Sequence, residues 1–326
     1  MSTISIKGLD KQFRIHKKVP GFFSIIKSFI KPKIETVTAL NNISFNIEKG
    51  ELVGFIGPNG AGKTTTLKCL SGLLYPTGGF IKILGYEPYK RESAYLKKIS
   101  LIIGQKNQLW WDLPAIDTFK LNKEIYEISD DNYKKSLGEL TEILEVGKEI
   151  GIPVRRLSLG QRMKMELVAA LLHRPEVLFL DEPTIGLDVV MQKKMRDFIA
   201  NYNIKRKATI ILTSHYIADV RTLCKRVIII NKGRIIYDGS FDKLVKKYAD
   251  HKLLSITFNK SVNKNTLLRF GQIRSFTKNK LELEVDKLTY KKTSSILLNR
   301  YPVEDFNIED PEIEDIIRSV FEDKRL

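Results

Sequence analysis

The sequence predicts an α/β protein built on a parallel sheet, with a small α+β appendage at its C-terminal end. Three observations lead there. Val177–Leu180 is apolar at every residue, as a parallel strand covered on both faces would be, and Thr209–Thr213 and Arg226–Ile230 repeat that pattern. A helical pattern, Val190–Tyr202, separates the first two, and strands alternating with helices imply a parallel sheet. Composition then shifts near Tyr248, after which short strands and helices follow in a different rhythm.

Taken in order, Thr3–Lys7 and Ile43–Ile47 alternate as strands, the second ending at the turn Glu48-Lys49-Gly50. Between them, residues 11–33 form a basic insert. It carries Lys11, Arg14, Lys17, Lys18, Lys27, Lys31 and Lys33 and no acid. Phe22, Ile25, Ile26, Phe29 and Ile30 recur there at helical spacing, which predicts a short amphipathic basic helix. Glu51–Ile56 is an apolar strand running into a Gly-rich loop and a helix, Lys63–Gly72. Ile99–Ile103 is strand-like, and the stretch from about 106 to 172 reads as mostly helical. The first domain is therefore placed at 1–245 and the appendage at 246–326. In the appendage Leu253–Phe258, Gln272–Thr277, Leu281–Val285 and Val303–Ile308 read as strands, and Thr289–Asn299 as a helix. Asp310-Pro311 is expected to cap a last helix bearing Ile313, Ile316, Ile317, Val320 and Phe321.

Composition narrows the class. At 43% hydrophobic and 29% charged over 326 residues, the chain is ordinary globular material without repeats. No apolar run approaches the length of about 20 residues that a bilayer span needs. No basic stretch followed by an apolar core marks a signal peptide at the N-terminus. Cys69 and Cys224 make neither a disulfide framework nor a zinc spacing, so a reducing cytosol is expected. Lys and Arg number 55 against 38 Asp and Glu, a net charge of +17. Such a surface prefers polyanions: nucleotides, acidic lipid head groups or nucleic acid.

Chemistry concentrates in two motifs. GPNGAGKTT comprises Gly57, Pro58, Asn59, Gly60, Ala61, Gly62, Lys63, Thr64 and Thr65, between an apolar strand and a helix. It fits the phosphate-binding loop pattern in the context that pattern requires. The glycines let backbone N–H groups turn inward on phosphate oxygens, and the positive end of the helix dipole faces the same anion. Lys63 is placed to reach the β- and γ-phosphates, and the Thr64 hydroxyl to ligate Mg²⁺. VLFLDEP, Val177 to Pro183, delivers Asp181 and Glu182 at the carboxyl end of a strand, where open α/β sheets place ligands. Asp181 would hold Mg²⁺ through water, and Glu182 would take a proton from an attacking water.

With LSLGQ at Leu157–Gln161 and TSH at Thr213–His215, these motifs stand in the order found in ABC-type ATPases, and the chain resembles that family from about Ser2 to Lys243. The resemblance implies a P-loop NTPase core of RecA type with an antiparallel β subdomain and an α-helical subdomain. It implies ATP and Mg²⁺ as ligands and ATP hydrolysis as the activity. LSLGQ departs from the usual LSGGQ only at Leu159. By this resemblance Ser158, Gly160 and Gln161 meet ATP held by a second subunit, Asp188 of IGLD crosses the dimer, and His215 contacts the γ-phosphate. Gln105 corresponds to the Q-loop residue that reaches Mg²⁺ and water, although Gly104 precedes it where a residue such as Pro is usual, and Gln108 lies nearby. Phe13 takes the place of an aromatic that stacks on adenine; a core phenylalanine is the plainer alternative.

Partners follow from the same resemblance. The chain is similar to bacterial ATPases paired with ABC-2-type export permeases, which implies a separate integral membrane subunit, a homodimer of this chain, and residence at the cytoplasmic face of the membrane. Trp110, Trp111 and Leu113 either line the groove that receives the permease or pack inside the helical subdomain. The insert 11–33 suits contact with acidic lipid or the permease, with a solvated loop carrying a few packed aromatics as the alternative. A non-transport ATPase acting on ribosomes or nucleic acid is the alternative. Ribosomal members carry two cassettes and DNA-repair members split theirs around coiled coils, whereas this chain has one cassette and no sustained heptads, so no nucleic acid is expected.

Overall fold

The computed structural model describes residues 2–16, 34–104 and 108–322. They form two compact units, Met1–Gly239 and Ser240–Leu326. In the first, β1 (Ser2–His16) pairs antiparallel with β2 (Ile34–Glu48), and β4 (Gly78–Ile83) pairs on its other side, giving the order β2-β1-β4. Both long strands outrun the sequence expectation. Their pairing shifts register at several bulges, and each bulge interrupts the alternation that marks a strand. Lys11–His16 therefore belong to β1, paired against Ile34–Leu40, and not to an insert as expected. The amphipathic helix expected around Phe22–Ile30 lies outside the described residues.

The second sheet has six strands in the order β5-β6-β7-β3-β8-β9. They are β3 (Leu52–Ile56), β5 (Ile99–Ile103), β6 (Val177–Asp181), β7 (Thr209–Thr213), β8 (Arg226–Asn231) and β9 (Arg234–Ser240). Strand β3 runs parallel to β7 and β8, and β6 parallel to β5 and β7. Every residue of β3, β6 and β7 is buried, which accounts for their unbroken apolar runs. Phe55, Phe179, Ile211 and Ile228 of this sheet pack into one core with Ile4, Leu9 and Ile43 of the antiparallel sheet. Each such side chain contributes about 1.5–3 kcal/mol by leaving water.

Helix α1 (Lys63–Leu70) follows β3 directly. Between β5 and β6 lies a helical arm of α2 (Ala115–Ile125), α3 (Asp130–Ile143) and α4 (Leu159–Leu171). Helix α5 (Val189–Arg206) joins β6 to β7, and α6 (Ile217–Leu223) joins β7 to β8. The strand order β6-β7-β3 sets three carboxyl ends side by side: Asp181, Thr213 and the start of the Gly57 loop.

The second unit begins with α7 (Phe241–Tyr248), so its boundary falls at Gly239/Ser240, ahead of the expected 245/246. Helix α7 lies against α9 (Ile313–Glu322). Its antiparallel sheet has the order β11-β12-β10-β13. The strands are β10 (His251–Phe258), β11 (Gln272–Phe276), β12 (Lys280–Asp286) and β13 (Val303–Glu309), with α8 (Tyr290–Arg300) before the last. Alternate residues Leu254, Ile256, Phe258, Leu281, Leu283 and Val285 form its core with Leu297 of α8. Asp310 does not cap α9. Its carboxylate accepts from Lys252 Nζ at 2.6 Å, and the helix starts at Ile313, with the Asp315 and Ile316 N–H groups bonded to the Glu312 carbonyl.

Candidate nucleotide site

Strand β3 ends in the Gly57–Gly62 loop, and the chain turns at Gly62 into α1. Gly62 has φ +114°, and a Cβ there would lie 2.9 Å from the Ala39 carbonyl oxygen, so only glycine fits this approach. Lys63 curls back over the loop: its Nζ donates to the carbonyls of Gly57 at 2.6 Å and Pro58 at 3.2 Å. It is 5% exposed. Burial lowers its pKa, while the charges of Glu182 and then Asp181 work against that loss.

Asp181 ties the strand ends together. Its Oδ2 accepts from Thr64 Oγ1 and its Oδ1 from Thr213 Oγ1, each at 2.7 Å, and the carboxylate is buried. Its carbonyl accepts the Gly104 N–H at 2.8 Å. The next residue, Glu182, holds φ +57° and donates its N–H to Thr213, both carbonyl and hydroxyl, at 3.1 Å. The turn aims the Glu182 carboxylate at His215, whose Nε2 lies 2.7 Å from Oε1. Glu182 is 15% and His215 36% exposed at the side chain, so the pair faces solvent while its supports are buried.

Asp219 sits below that pair and is 1% exposed. Its Oδ2 accepts from Thr184 Oγ1 at 2.5 Å and Ser214 Oγ at 3.0 Å; its Oδ1 accepts from Arg196 Nη1 at 2.7 Å. Sequence reading missed this residue, as it missed Thr213 as a ligand of Asp181.

The LSLGQ segment begins α4. Ser158 is the N-cap, and it shares a reciprocal capping box with Gln161: Ser158 Oγ accepts the Gln161 N–H at 3.2 Å, and Gln161 Oε1 accepts the Ser158 N–H at 3.0 Å. Leu159, the departure from the family pattern, abuts Gly186, and Gly160 faces Met191. Asp188 caps α5, accepting the Met191 N–H at 2.8 Å. Within one chain, then, the LSLGQ tip and the IGLD loop are packed neighbours.

Gln105 lies outside the described residues. Gln108, the nearby alternative, spends its side-chain amide on the Leu101 carbonyl at 2.7 Å. Its N–H and that of Leu109 both go to Glu166 Oε1, at 2.8 and 3.2 Å. Glu166 is buried on α4, and desolvation raises its pKa against the pull of those N–H groups. Among the described residues its Oε2 has no partner. Trp110, Trp111 and Leu113 are 53%, 47% and 38% exposed, so they do not pack inside the helical arm. Backbone bonds from Arg155 to Trp111 and from Val154 to Leu113 hold this ledge to the residues just ahead of LSLGQ. The Arg162 guanidinium stands 5.6 Å over the Trp111 ring. Phe13 is half-buried on β1 opposite Val37, with Lys11 Nζ 5.0 Å from its ring centroid; it is not a core residue.

The arrangement offers backbone N–H groups and a buried ammonium for anionic oxygens, hydroxyl and carboxylate oxygens for a hard cation, and a carboxylate–imidazole pair for moving a proton. Fold and site together define a P-loop nucleotide-binding protein. The chain matches the family described as ABC transporter over residues 40–185, and the EvrA-like ABC transporter C-terminal domain over residues 250–309. It is 32% identical over 230 residues to the ABC transporter ATP-binding protein NatA of Bacillus subtilis, covering 71% of this chain and 93% of that one. The bacitracin transport ATP-binding protein BcrA of Bacillus licheniformis is 35% identical over 218 residues, 66% of this chain and 70% of its own. Among solved structures, an ATP-binding subunit of an ABC transporter superposes with a TM-score of 0.62 at 24% identity, covering 76% of this chain and 93% of that chain. The ATP-binding cassette MJ0796, a dimer bound to ADP and Pi, gives 0.60 at 23%, covering 73% and 98%. These two likenesses bear on the fold. The chain belongs to the ABC transporter ATP-binding proteins, and it is an ATP-hydrolysing cassette. Among the described residues no helix is long and apolar enough to cross a membrane.

Proposed function

We propose that this chain is the motor of an export system: two copies close over two ATP molecules, and the closure drives a separate ABC-2-type permease from the cytoplasmic face of the membrane. The observation that carries it is the convergence of Lys63, Thr64, Asp181, Glu182 and His215 on the carboxyl ends of β3, β6 and β7.

In this reading Gly57–Thr65 wrap the triphosphate. The Lys63 ammonium leaves the Gly57 and Pro58 carbonyls for the β- and γ-phosphate oxygens, a stronger, charge-assisted pairing. Thr64 and Asp181 are hard oxygen donors already 2.7 Å apart, a set that would hold Mg²⁺. Gln105 would join them. The ion, when bound there, would neutralise charge on the transferred phosphoryl group. Glu182 accepts the proton of the attacking water, and His215, turning from Glu182, donates to the γ-phosphate. Ser158, Gly160 and Gln161 of the other copy present the positive end of α4 to the same phosphate, and Asp188 crosses alongside. Phe13 stacks on adenine.

The exposed Trp110, Trp111 and Leu113 form the ledge on which the permease lands, one strand end from the nucleotide. BcrA carries bacitracin transport in its name, and the linearmycin resistance ATP-binding protein LnrL of Bacillus subtilis is 30% identical over 260 residues, 79% of this chain and 83% of its own; both favour export.

Glu182→Gln tests the reading. Losing a general base removes about 10²–10⁴ in rate, or about 3–5 kcal/mol of barrier. The variant is expected to bind ATP as tightly as the parent and to accumulate as an ATP-bound dimer by light scattering. Parent-like turnover, or a monomer saturated with Mg²⁺ and ATP, would overturn it.

A further inference from the structure

We propose that Asp219 is the positioning residue that holds Glu182 and His215 in register. The inference rests on the reading of those two as the reactive pair. Among the described residues no hydrogen bond or ion pair joins Asp219 to either of them. It accepts from Thr184, two residues after Glu182, and from Ser214, the residue before His215, through the same oxygen. Ser214 Oγ also accepts the Tyr216 N–H at 3.0 Å, so the brace grips the chain on both sides of His215. Thr184 and Ser214 are buried, with 2% and 3% exposure. The two turns that meet at the 2.7 Å Glu182–His215 contact are thus bolted to one carboxylate from below.

The charge on that carboxylate is itself held from elsewhere. Arg196, on α5, gives Asp219 its third partner, through the other carboxylate oxygen, with side-chain exposures of 17% and 1%. Buried ion pairs give little net stability against apolar replacements, and their best-attested use is to fix one arrangement among several. Here α5 also carries Asp188 at its cap, so the brace joins both reactive turns to the helix that starts at the IGLD loop. A reacting group misplaced by about 1 Å loses about 10²-fold in rate, so a brace of this kind is felt in turnover before it is felt in binding.

The test is steady-state ATP hydrolysis by the full chain, with fluorescent ATP-analogue binding and thermal melting measured in parallel. Asp219→Asn keeps an acceptor oxygen but loses the charge facing Arg196. Its kcat is expected to fall about 10-fold or more, with KM and analogue affinity within about 2-fold of the parent. Because Asp219 acts through the pair, Asp219→Asn is expected to cost less in a His215→Ala background, where only Glu182 is left to misplace, than in the parent. Losses that multiply in the double variant, or an affinity that falls in step with kcat, would overturn the proposal. Should Asp219→Asn fail to fold, Thr184→Val/Ser214→Ala removes the two bolts and leaves the Asp219–Arg196 pair; the same kcat loss is expected, and parent-like turnover would overturn the brace. Glu182→Gln separates the two readings. If it turns over at the parent rate, the reactive pair is misassigned and the brace falls with it; if it is slow while both brace variants are parent-like, only the brace falls.

Discussion

At Gly104 the chain leaves β5 against the turn that carries Glu182. A Cβ there would lie 2.2 Å from the Glu182 carbonyl oxygen and 3.2 Å from Ile185. Backbone cannot yield as a flexible side-chain end can, so Gly104→Ala must shift the Glu182 turn or the strand. Overpacking of this kind costs about 1–3 kcal/mol. The expected outcome is a melting temperature several degrees below the parent and a kcat reduced about 10-fold, with analogue binding at the Lys63 loop retained. Parent-like kcat in Gly104→Ala would show that the turn tolerates the shift. The sequence marks position 104 only as a departure from a family pattern; its reason lies on another strand. Gly57–Thr65 and Val177–Pro183 are legible because each is one contiguous run whose neighbours in sequence supply its strand and helix. Asp219 is not, because its partners Thr184 and Arg196 stand 35 and 23 residues away.

Helix α4 carries LSLGQ at its tip, and Arg162 and Glu166 along the flank that holds the Trp ledge. Apolar periodicity locates the arm but reads an acid such as Glu166 as surface, since only tertiary packing buries it. Its carboxyl carries a raised pKa because desolvation outweighs the Gln108 and Leu109 N–H groups and the Arg162 charge. A raised carboxyl pKa favours the folded state below the ordinary value of 4.5, and that contribution is lost as pH rises through the raised value. Glu166→Gln keeps one acceptor oxygen for both N–H groups and has no charge to bury. Its melting temperature is therefore expected to exceed the parent's at about pH 8, with the gap closing as the pH falls toward the parent's protonation. A variant less stable than the parent by the same margin at every pH would refute that account. Because Trp110 and Trp111 are the only tryptophans, their emission reports the ledge directly in both proteins.

For the molecule as a whole, the dominant long-range property is its charge of +17. Pairing quenches part of it locally: Arg226 lies between Asp238 and Glu51, and Arg274 between Asp315 and Glu284. Residues 11–33 carry cations and no acid, so nothing in that stretch offsets its field. Each Lys or Arg near an acidic leaflet contributes about 1 kcal/mol of attraction, screened over about 10 Å at 0.1 M salt. Several acting together suffice for measurable binding without any spanning segment. The full chain is expected to sediment with vesicles rich in phosphatidylglycerol at low salt, to be released several-fold as salt rises above physiological strength, and to ignore phosphatidylcholine. Replacing Lys27, Lys31 and Lys33 by Gln should weaken sedimentation while leaving ATP hydrolysis at the parent rate, since the proposed reactive pair follows the ends of β6 and β7. Equal sedimentation of parent and variant would move the lipid-facing surface elsewhere on the chain; binding insensitive to salt would remove the electrostatic basis for membrane attachment by the chain's own charge.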